Sequence, residues 1–156
     1  HPGNVFWPQA LAANKVYEML DEKQQKAALV SKLPNEAAVQ FQGADGKFPG
    51  IPVTELASNQ KDELTKVLHK LIEPYRQSDR DEALACLKAQ GGLDKCSLAF
   101  YSDGDIGGDK VWDCWRVEGP AFVWYFRGTP HVHVWASIAD SPAVMVNTPA
   151  QLEYPA

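Results

Sequence analysis

The sequence predicts an α+β fold, with N-terminal helices packed on one face of an antiparallel β-meander. Apolar residues recur at helical spacing through residues 1–92, whereas residues 97–138 carry short runs rich in aromatic and β-branched residues. Helices followed by strands are typical of that fold class. The 156 residues amount to about one domain. We therefore expect a single domain, 1–156, in which residues 140–156 wrap the surface.

The helical part divides at its prolines and glycines. The first helix is expected over Asn4–Leu33 and stops at Pro34, which cannot continue a helix. A short strand at Ala37–Phe41 and a loop at 43–50 follow.

Two further helices are expected before the sheet. One begins with Ser58 as its N-cap, and the other runs from about Ser78 to Ala89 and ends at the glycines that follow. The apolar stripe of the first of these has helical spacing: Leu64, Val67, Leu68, Leu71 and Ile72.

Four strands are expected in the second part, and the short turns between them favour antiparallel pairing. They are Ser97–Tyr101, Val111–Val117, Ala121–Phe126 and His131–Ile138. If Arg127–Pro130 forms a four-residue hairpin loop, the last two strands have a defined register. The predicted pairs are Phe126 with His131, Trp124 with His133, and Phe122 with Trp135. That register would place both histidines in a wall of aromatic rings.

Charge and hydropathy argue against two classes of protein. Fifteen basic against twenty acidic residues give a net charge of −5, whereas a nucleic-acid surface is basic. The apolar runs fall far short of the ~20 residues of a membrane-spanning helix. We therefore expect no nucleic-acid partner and no membrane span, and the sequence does not decide the oligomeric state.

His131-Val132-His133 is the most informative short stretch. Residues two apart on a strand point to the same face, so both imidazoles project together. Neighbouring neutral imidazoles suit zinc, copper, iron or nickel. Two histidines satisfied by hydrogen bonds on a half-exposed sheet are the other interpretation, and the pattern alone does not choose between them.

The chain begins at His1 rather than at a methionine. A mature exported protein whose signal peptide has been removed begins in this way, so we expect a secreted or periplasmic location. A tag remnant would leave the same first residue. An N-terminal histidine offers two nitrogen ligands, its imidazole and an α-amine whose pKa is only ~7.7–8.0.

Together, His1, His131 and His133 supply four nitrogens. Such a set suits square-planar Cu(II), which heads the affinity order of divalent ions, whereas zinc more often takes three protein ligands and water. In ligand types alone it resembles the histidine-brace copper site of particulate methane monooxygenase and, more loosely, that of lytic polysaccharide monooxygenases. We expect one copper ion, with zinc as the alternative. Candidates for second-sphere or electron-transfer roles beside it are Tyr125, Trp124 and Trp135.

The three cysteines allow more than one arrangement. Cys86 and Cys96 lie ten positions apart and could close a small loop in an oxidising compartment. Cys114 is most simply a buried thiol on a strand, since an unpaired cysteine behaves as a small hydrophobe. A metal ligand or a disulfide partner is the alternative for Cys114.

Several segments occur in the order found in one bacterial family. They are Leu20–Ala28, Gly50-Ile51, Leu56–Tyr75, Trp112–Pro120 and the His-x-His strand. Over residues 15–140 the chain resembles the C-terminal half of the family catalogued as domain of unknown function thirty-five-hundred, most specifically at Arg116–Pro120 and His131–His133. The family has no settled activity, so the resemblance implies an intact domain and a role for the two histidines. The chain departs from it at Val123–Tyr125, where an acidic residue is usual, and at Trp135–Ser137, where an arginine is usual.

The sequence therefore predicts a secreted mononuclear copper protein with redox activity: an oxidase, a monooxygenase or a peroxide-using enzyme, with a small-molecule or oxygen-derived substrate. A copper carrier or scavenger without turnover would use the same ligands. A metal-free module whose aromatic face meets a ligand is the third hypothesis.

Overall fold

The computed structural model describes residues 6–36 and 39–146, and within them it confirms the predicted α+β class. The helices are α1 (Trp7–Glu18), α2 (Glu22–Ala28), α3 (Ser58–Ile72) and α4 (Gln77–Ala89). The strands are β1 (Leu29–Val30), β2 (Ile51–Pro52), β3 (Ser97–Tyr101), β4 (Cys114–Gly119), β5 (Phe122–Arg127) and β6 (His133–Ile138). None of the helices in these residues is long and apolar enough to cross a membrane.

The single helix predicted over Asn4–Leu33 is wrong, since the chain forms two helices and a strand there; Asn4 itself lies outside the described residues. Asp21 separates the two helices. Its carboxylate accepts a hydrogen bond from the backbone N–H of Gln24 at 2.8 Å, and the Gln24 side chain accepts one from the backbone N–H of Asp21 at 3.0 Å. This reciprocal pair is a capping box, which starts α2 as a new helix.

The other two predicted helices are confirmed as α3 and α4. The N-cap of α3 is Ala57 rather than Ser58, and the Gln60 side chain accepts a hydrogen bond from the Ala57 N–H at 2.7 Å. Of the strand predicted at Ala37–Phe41, residues 37–38 lie outside the described part and residues 39–41 form no strand.

The sheet contains the predicted antiparallel meander, because β3, β4, β5 and β6 each pair with the next. On the outer edge of β3, β1 pairs in parallel and β2 pairs antiparallel, which the sequence did not predict. At the opposite side of the described sheet, β6 is an edge strand.

The predicted register of β5 against β6 is wrong by three positions. Phe126 pairs with Val134, and Arg127 pairs with His133, so the connecting loop covers residues 128–132. A contact outside the hairpin holds this loop, because the N–H of Gly128 donates to the carbonyl of Asp113 at 2.8 Å.

The shift moves side chains to the opposite face of the sheet, because successive residues of a strand alternate between faces. Trp124 pairs with Ala136 and packs in the main core, whereas His133 lies on the other face. The predicted wall of aromatic rings around both histidines is therefore wrong for Phe122, Trp124 and Phe126, which lie on the core face of the sheet.

The two faces of the sheet differ in chemistry. The face toward the helices is apolar and packs with residues of α1 and α3 into the main core: Leu98, Phe100, Trp115, Val117, Phe122, Trp124 and Phe126. We call the opposite side the second face. Its residues on β3 to β6 include Tyr101, Cys114, Arg116, Glu118, Tyr125, Arg127, His133 and Trp135.

The cysteines are free thiols, so Cys86 and Cys96 do not close a disulfide loop. Burial raises the pKa of the Cys96 thiol to about 12. Cys114 is buried on β4, which confirms the simplest prediction for it.

A buried ion pair lies on the second face. The Nη2 atom of Arg116 donates to Oε1 of Glu118 at 2.8 Å, and the two side chains are only 8% and 4% exposed. Removing one partner of such a pair leaves a buried charge without compensation, whereas apolar replacement of both is often neutral.

We expect Glu118→Leu to lower the free energy of unfolding by about 3–5 kcal/mol, because it isolates the Arg116 guanidinium. Adding Arg116→Met should recover most of that loss. Urea unfolding followed by circular dichroism measures both variants. Additive losses in the double variant would contradict the ion-pair explanation.

Candidate metal centre

The two histidines of the His-x-His stretch meet at the start of β6. His133 is the first residue of the strand, and His131 lies in the loop two residues before it. Their Nε2 atoms are 2.6 Å apart, and the ring centroids are 4.4 Å apart. Two nitrogens that each lie ~2.0–2.1 Å from one ion at a right angle would be about 2.9 Å apart. The imidazoles thus project together at nearly the separation of neighbouring metal ligands. The predicted start of the strand at His131 is wrong, because the strand begins at His133.

Arg127 determines which nitrogen of His133 carries the proton. Its Nη2 atom lies 2.8 Å from Nδ1 of His133, and a guanidinium has only donors. The Nδ1 atom must therefore accept, so the neutral ring of His133 carries its proton on Nε2. That proton is donated to Nε2 of His131, whose own proton is then on Nδ1.

Arg127 is itself held from several directions. Its Nη1 atom donates to the carbonyl of Thr129 at 2.6 Å, its Nε atom forms an ion pair with Glu36, and its Cζ atom lies 5.9 Å from the centroid of Trp135. Sequence reasoning placed Arg127 in the hairpin loop and missed this role. Arg127 and His133 share a face because they pair across β5 and β6. Predicting this would have required the correct register of the two strands.

The polarity of the Arg127 contact bears directly on metal binding. A histidine that binds a metal usually donates its other N–H to a carboxylate, a carbonyl or water. His133 instead faces a donor, so its Nε2 atom can bind an ion only after losing its proton or after the ring turns over. The positive charge of the Arg127 guanidinium favours loss of a proton from the His133 ring.

Within residues 6–36 and 39–146, no group of three His, Cys, Asp or Glu side chains is placed to hold a metal ion. The described part of the chain therefore contributes the pair His131 and His133 alone. His1 lies outside the described residues, so the four-nitrogen set stays a prediction.

A row of aromatic rings leads from the histidine pair toward the middle of the second face. The centroids of His133 and Trp135 are 5.1 Å apart, and Trp135 stacks on Tyr125 at 5.1 Å. Tyr125 meets Tyr101 edge-on at 6.2 Å. Of the three predicted second-sphere residues, Trp135 lies beside the pair, Tyr125 lies behind Trp135, and Trp124 lies on the other face.

The surroundings also shift the pKa values of this row. The pKa of His133 is lowered by partial burial, by the charge of Arg127 and by His131. Burial raises the pKa of Tyr101 to about 12 and raises that of Tyr125, whose hydroxyl lies near the Glu36 carboxylate. The tyrosines therefore remain neutral phenols at physiological pH.

Comparison with known proteins finds no family model, no curated protein and no solved structure that matches this chain. The resemblance drawn from the sequence remains a prediction.

In the metal-free protein we expect His133 to titrate below the ordinary histidine pKa of ~6.5. Arg127→Gln should raise that pKa, because the glutamine removes the charge and its carbonyl can accept from Nδ1–H. The folded state takes up this proton less readily than the unfolded chain. His133 therefore lowers stability as pH falls from the unfolded pKa through the folded one.

The Hε1 resonances of the imidazoles, followed by NMR against pH, measure this titration. Arg76→Gln, which removes an arginine whose side chain is 85% exposed, is the control and should leave His133 unchanged. An identical His133 titration in wild type and Arg127→Gln would show that Arg127 does not act on the ring.

Proposed function

We propose that this protein binds one copper ion at His131 and His133 and uses it in redox chemistry. The observation that carries the proposal is the convergence of the two Nε2 atoms at 2.6 Å. Imidazole nitrogens are ligands that copper and zinc share, and Cu(II) is the tighter-binding of the two in such sites.

Further ligands have to complete the site, since two imidazoles alone leave at least half of a four-coordinate shell to other groups. The α-amine and imidazole of His1 are the proposed source. They would give the all-nitrogen plane that Cu(II) favours. Zinc is the alternative ion, with water in its fourth position.

Because Arg127 donates to Nδ1 of His133, copper can bind at Nε2 of that ring only if the Nε2 proton leaves. Binding through Nε2 of His133 would release to solvent the proton that now bridges to His131 and would leave the ring as an imidazolate, whose negative charge the guanidinium against Nδ1 would balance. Its ion pair with Glu36 and its bond to Thr129 hold it in place. Copper affinity should accordingly fall with acidification, since the ion competes with protons for both rings.

The aromatic row supports a redox role over simple carriage. Tryptophan and tyrosine are the side chains that give up a single electron most readily among those without sulfur. Trp135 and Tyr125 stack in sequence behind His133. A carrier would need the histidines but not this row.

The secreted or periplasmic location is proposed on the sequence alone, as is membership of the family catalogued as domain of unknown function thirty-five-hundred. The substrate is proposed only as a small-molecule or oxygen-derived compound.

Cu(II) added to protein that begins at His1 should bind one equivalent and give a nitrogen-rich type 2 electron paramagnetic resonance spectrum. His131→Ala and His133→Ala should each weaken binding at least ~100-fold, because even outer residues that orient a metal ligand contribute ~10–100-fold. An extra residue before His1 should weaken it sharply, because the α-amine is moved away.

His69→Ala is the matched control, since His69 is an exposed imidazole on α3. It should bind copper as wild type does. Full affinity in both His131→Ala and His133→Ala, with unchanged circular dichroism, would remove the pair from the site. Full affinity after the N-terminal extension would remove only His1.

Stoichiometric peroxide added to the copper-loaded, reduced protein should produce an organic radical that freeze-quench electron paramagnetic resonance detects. Trp135→Phe should lower its yield at least fivefold, because the first ring behind His133 is then much harder to oxidise. Trp7→Phe and Tyr75→Phe are controls, since both residues are exposed and lie outside the row.

The result separates the three functions. Copper binding without radical or peroxide consumption would identify a carrier. Absence of stoichiometric copper binding would leave the metal-free module. A radical yield unaffected by Trp135→Phe would refute the aromatic row as its path.

A further inference from the structure

A polar cavity lies over the second face, away from the histidine pair. Its volume is about 360 Å³, within the ~300–1,000 Å³ range of small-molecule sites. Most of its lining comes from the loop before β2 and from β4: Val39, Gln40, Gln42, Pro49, Arg116 and Glu118. The Arg116–Pro120 stretch, which stood out in the sequence, thus lies beneath a cavity that the proposed copper site does not use.

The base of the cavity is the buried ion pair. Oε1 of Glu118 accepts from Nη2 of Arg116 at 2.8 Å and from Nε2 of Gln42 at 2.9 Å. Burial raises the pKa of Glu118. A buried pair of this kind adds little stability over apolar residues of similar size. Perturbed ionisable groups in a cleft are typical of functional sites.

The wall of the cavity is held in place before any ligand arrives. The N–H of Gly43 donates to the carbonyl of Pro120 at 2.9 Å, and the N–H of Lys47 donates to the side chain of Gln42 at 3.3 Å. The first bond joins the loop to the residue after β4, and the second lies within the loop. A preformed cavity avoids the entropy cost of ordering the loop on binding.

The charges of the cavity select the ligand. Arg116 and Glu118 are the only charged groups among the described residues that line it, and their charges cancel. Glu118 would repel an anionic ligand, and Arg116 would repel a cationic one. The amides of Gln40 and Gln42 add further donors and acceptors.

We infer that this cavity binds a small uncharged polyol of monosaccharide size. Planar guanidinium, carboxylate and amide groups each present two polar atoms side by side, which match two neighbouring hydroxyls. A site that is built to hydrogen-bond hydroxyls discriminates strongly against compounds that lack them. The inference does not depend on copper, because neither His131 nor His133 lines the cavity.

Saturation-transfer NMR with glucose, galactose, xylose and myo-inositol as separate probes tests the inference on the metal-free protein. We expect at least one to receive saturation at millimolar concentration. Gln40→Trp, which fills the cavity from an exposed position, should weaken binding of that probe at least tenfold. Glu118→Gln should do the same, because it removes the acceptor charge while keeping the side-chain shape.

Gln77→Trp is the matched control, since Gln77 lies on α4 outside the cavity, and it should bind as wild type does. Circular dichroism establishes that each variant is folded, and Gln40→Trp still tests the idea if Glu118→Gln does not fold. No response to any of the four polyols would overturn the inference, as would a response only to acetate or ethylammonium. Undiminished polyol binding by Gln40→Trp would overturn it too.

Discussion

The pairing of Arg127 with His133 across β5 and β6 is the constraint on which the candidate site depends. It places a guanidinium against one ring nitrogen of His133 and so directs the other toward His131. It also stacks Trp135 on Tyr125. A shift of one position would send His133 into the apolar face and separate it from all these partners.

The division of the sheet into two faces follows from the same alternation. On β4, Trp115 and Val117 point into the core beneath the helices, whereas Arg116 and Glu118 point to the second face. Helices cover only the apolar side, so the second face is covered by loops. The loop before β2 and the polar side chains of β4 together line the polar cavity on this face.

The histidine pair and the polar cavity share that face, with His133 on β6 and Arg116 two strands away on β4 and two residues further along. Tyr125 lies between them, opposite Arg116 on one side and Trp135 on the other. A redox centre and a polyol site in this arrangement would be neighbours without sharing a residue. Each can fail without affecting the other, since one requires ligands from His131 and the other requires Glu118.

Sequence reasoning found the local features of this protein because short-range physics fixes them. Amphipathic spacing located α3, the glycines that follow Ala89 marked the end of α4, and aromatic and β-branched runs located the meander. The sequence also predicted that His131 and His133 project together, although His131 does so from the loop before β6. The break at Asp21 was also encoded locally, in a capping box with Gln24, but the continuing apolar spacing concealed it.

The tertiary structure decided what surrounds those features. The loop of the last hairpin is bonded from Gly128 to Asp113, a residue before β4, so patterns within the hairpin do not report every contact that acts on it. The register of this hairpin placed Arg127 beside His133 and removed Trp124 from the site. By itself the sequence determined that two imidazoles lie side by side. Their proton arrangement came only from packing, because it depends on a guanidinium brought there by the neighbouring strand.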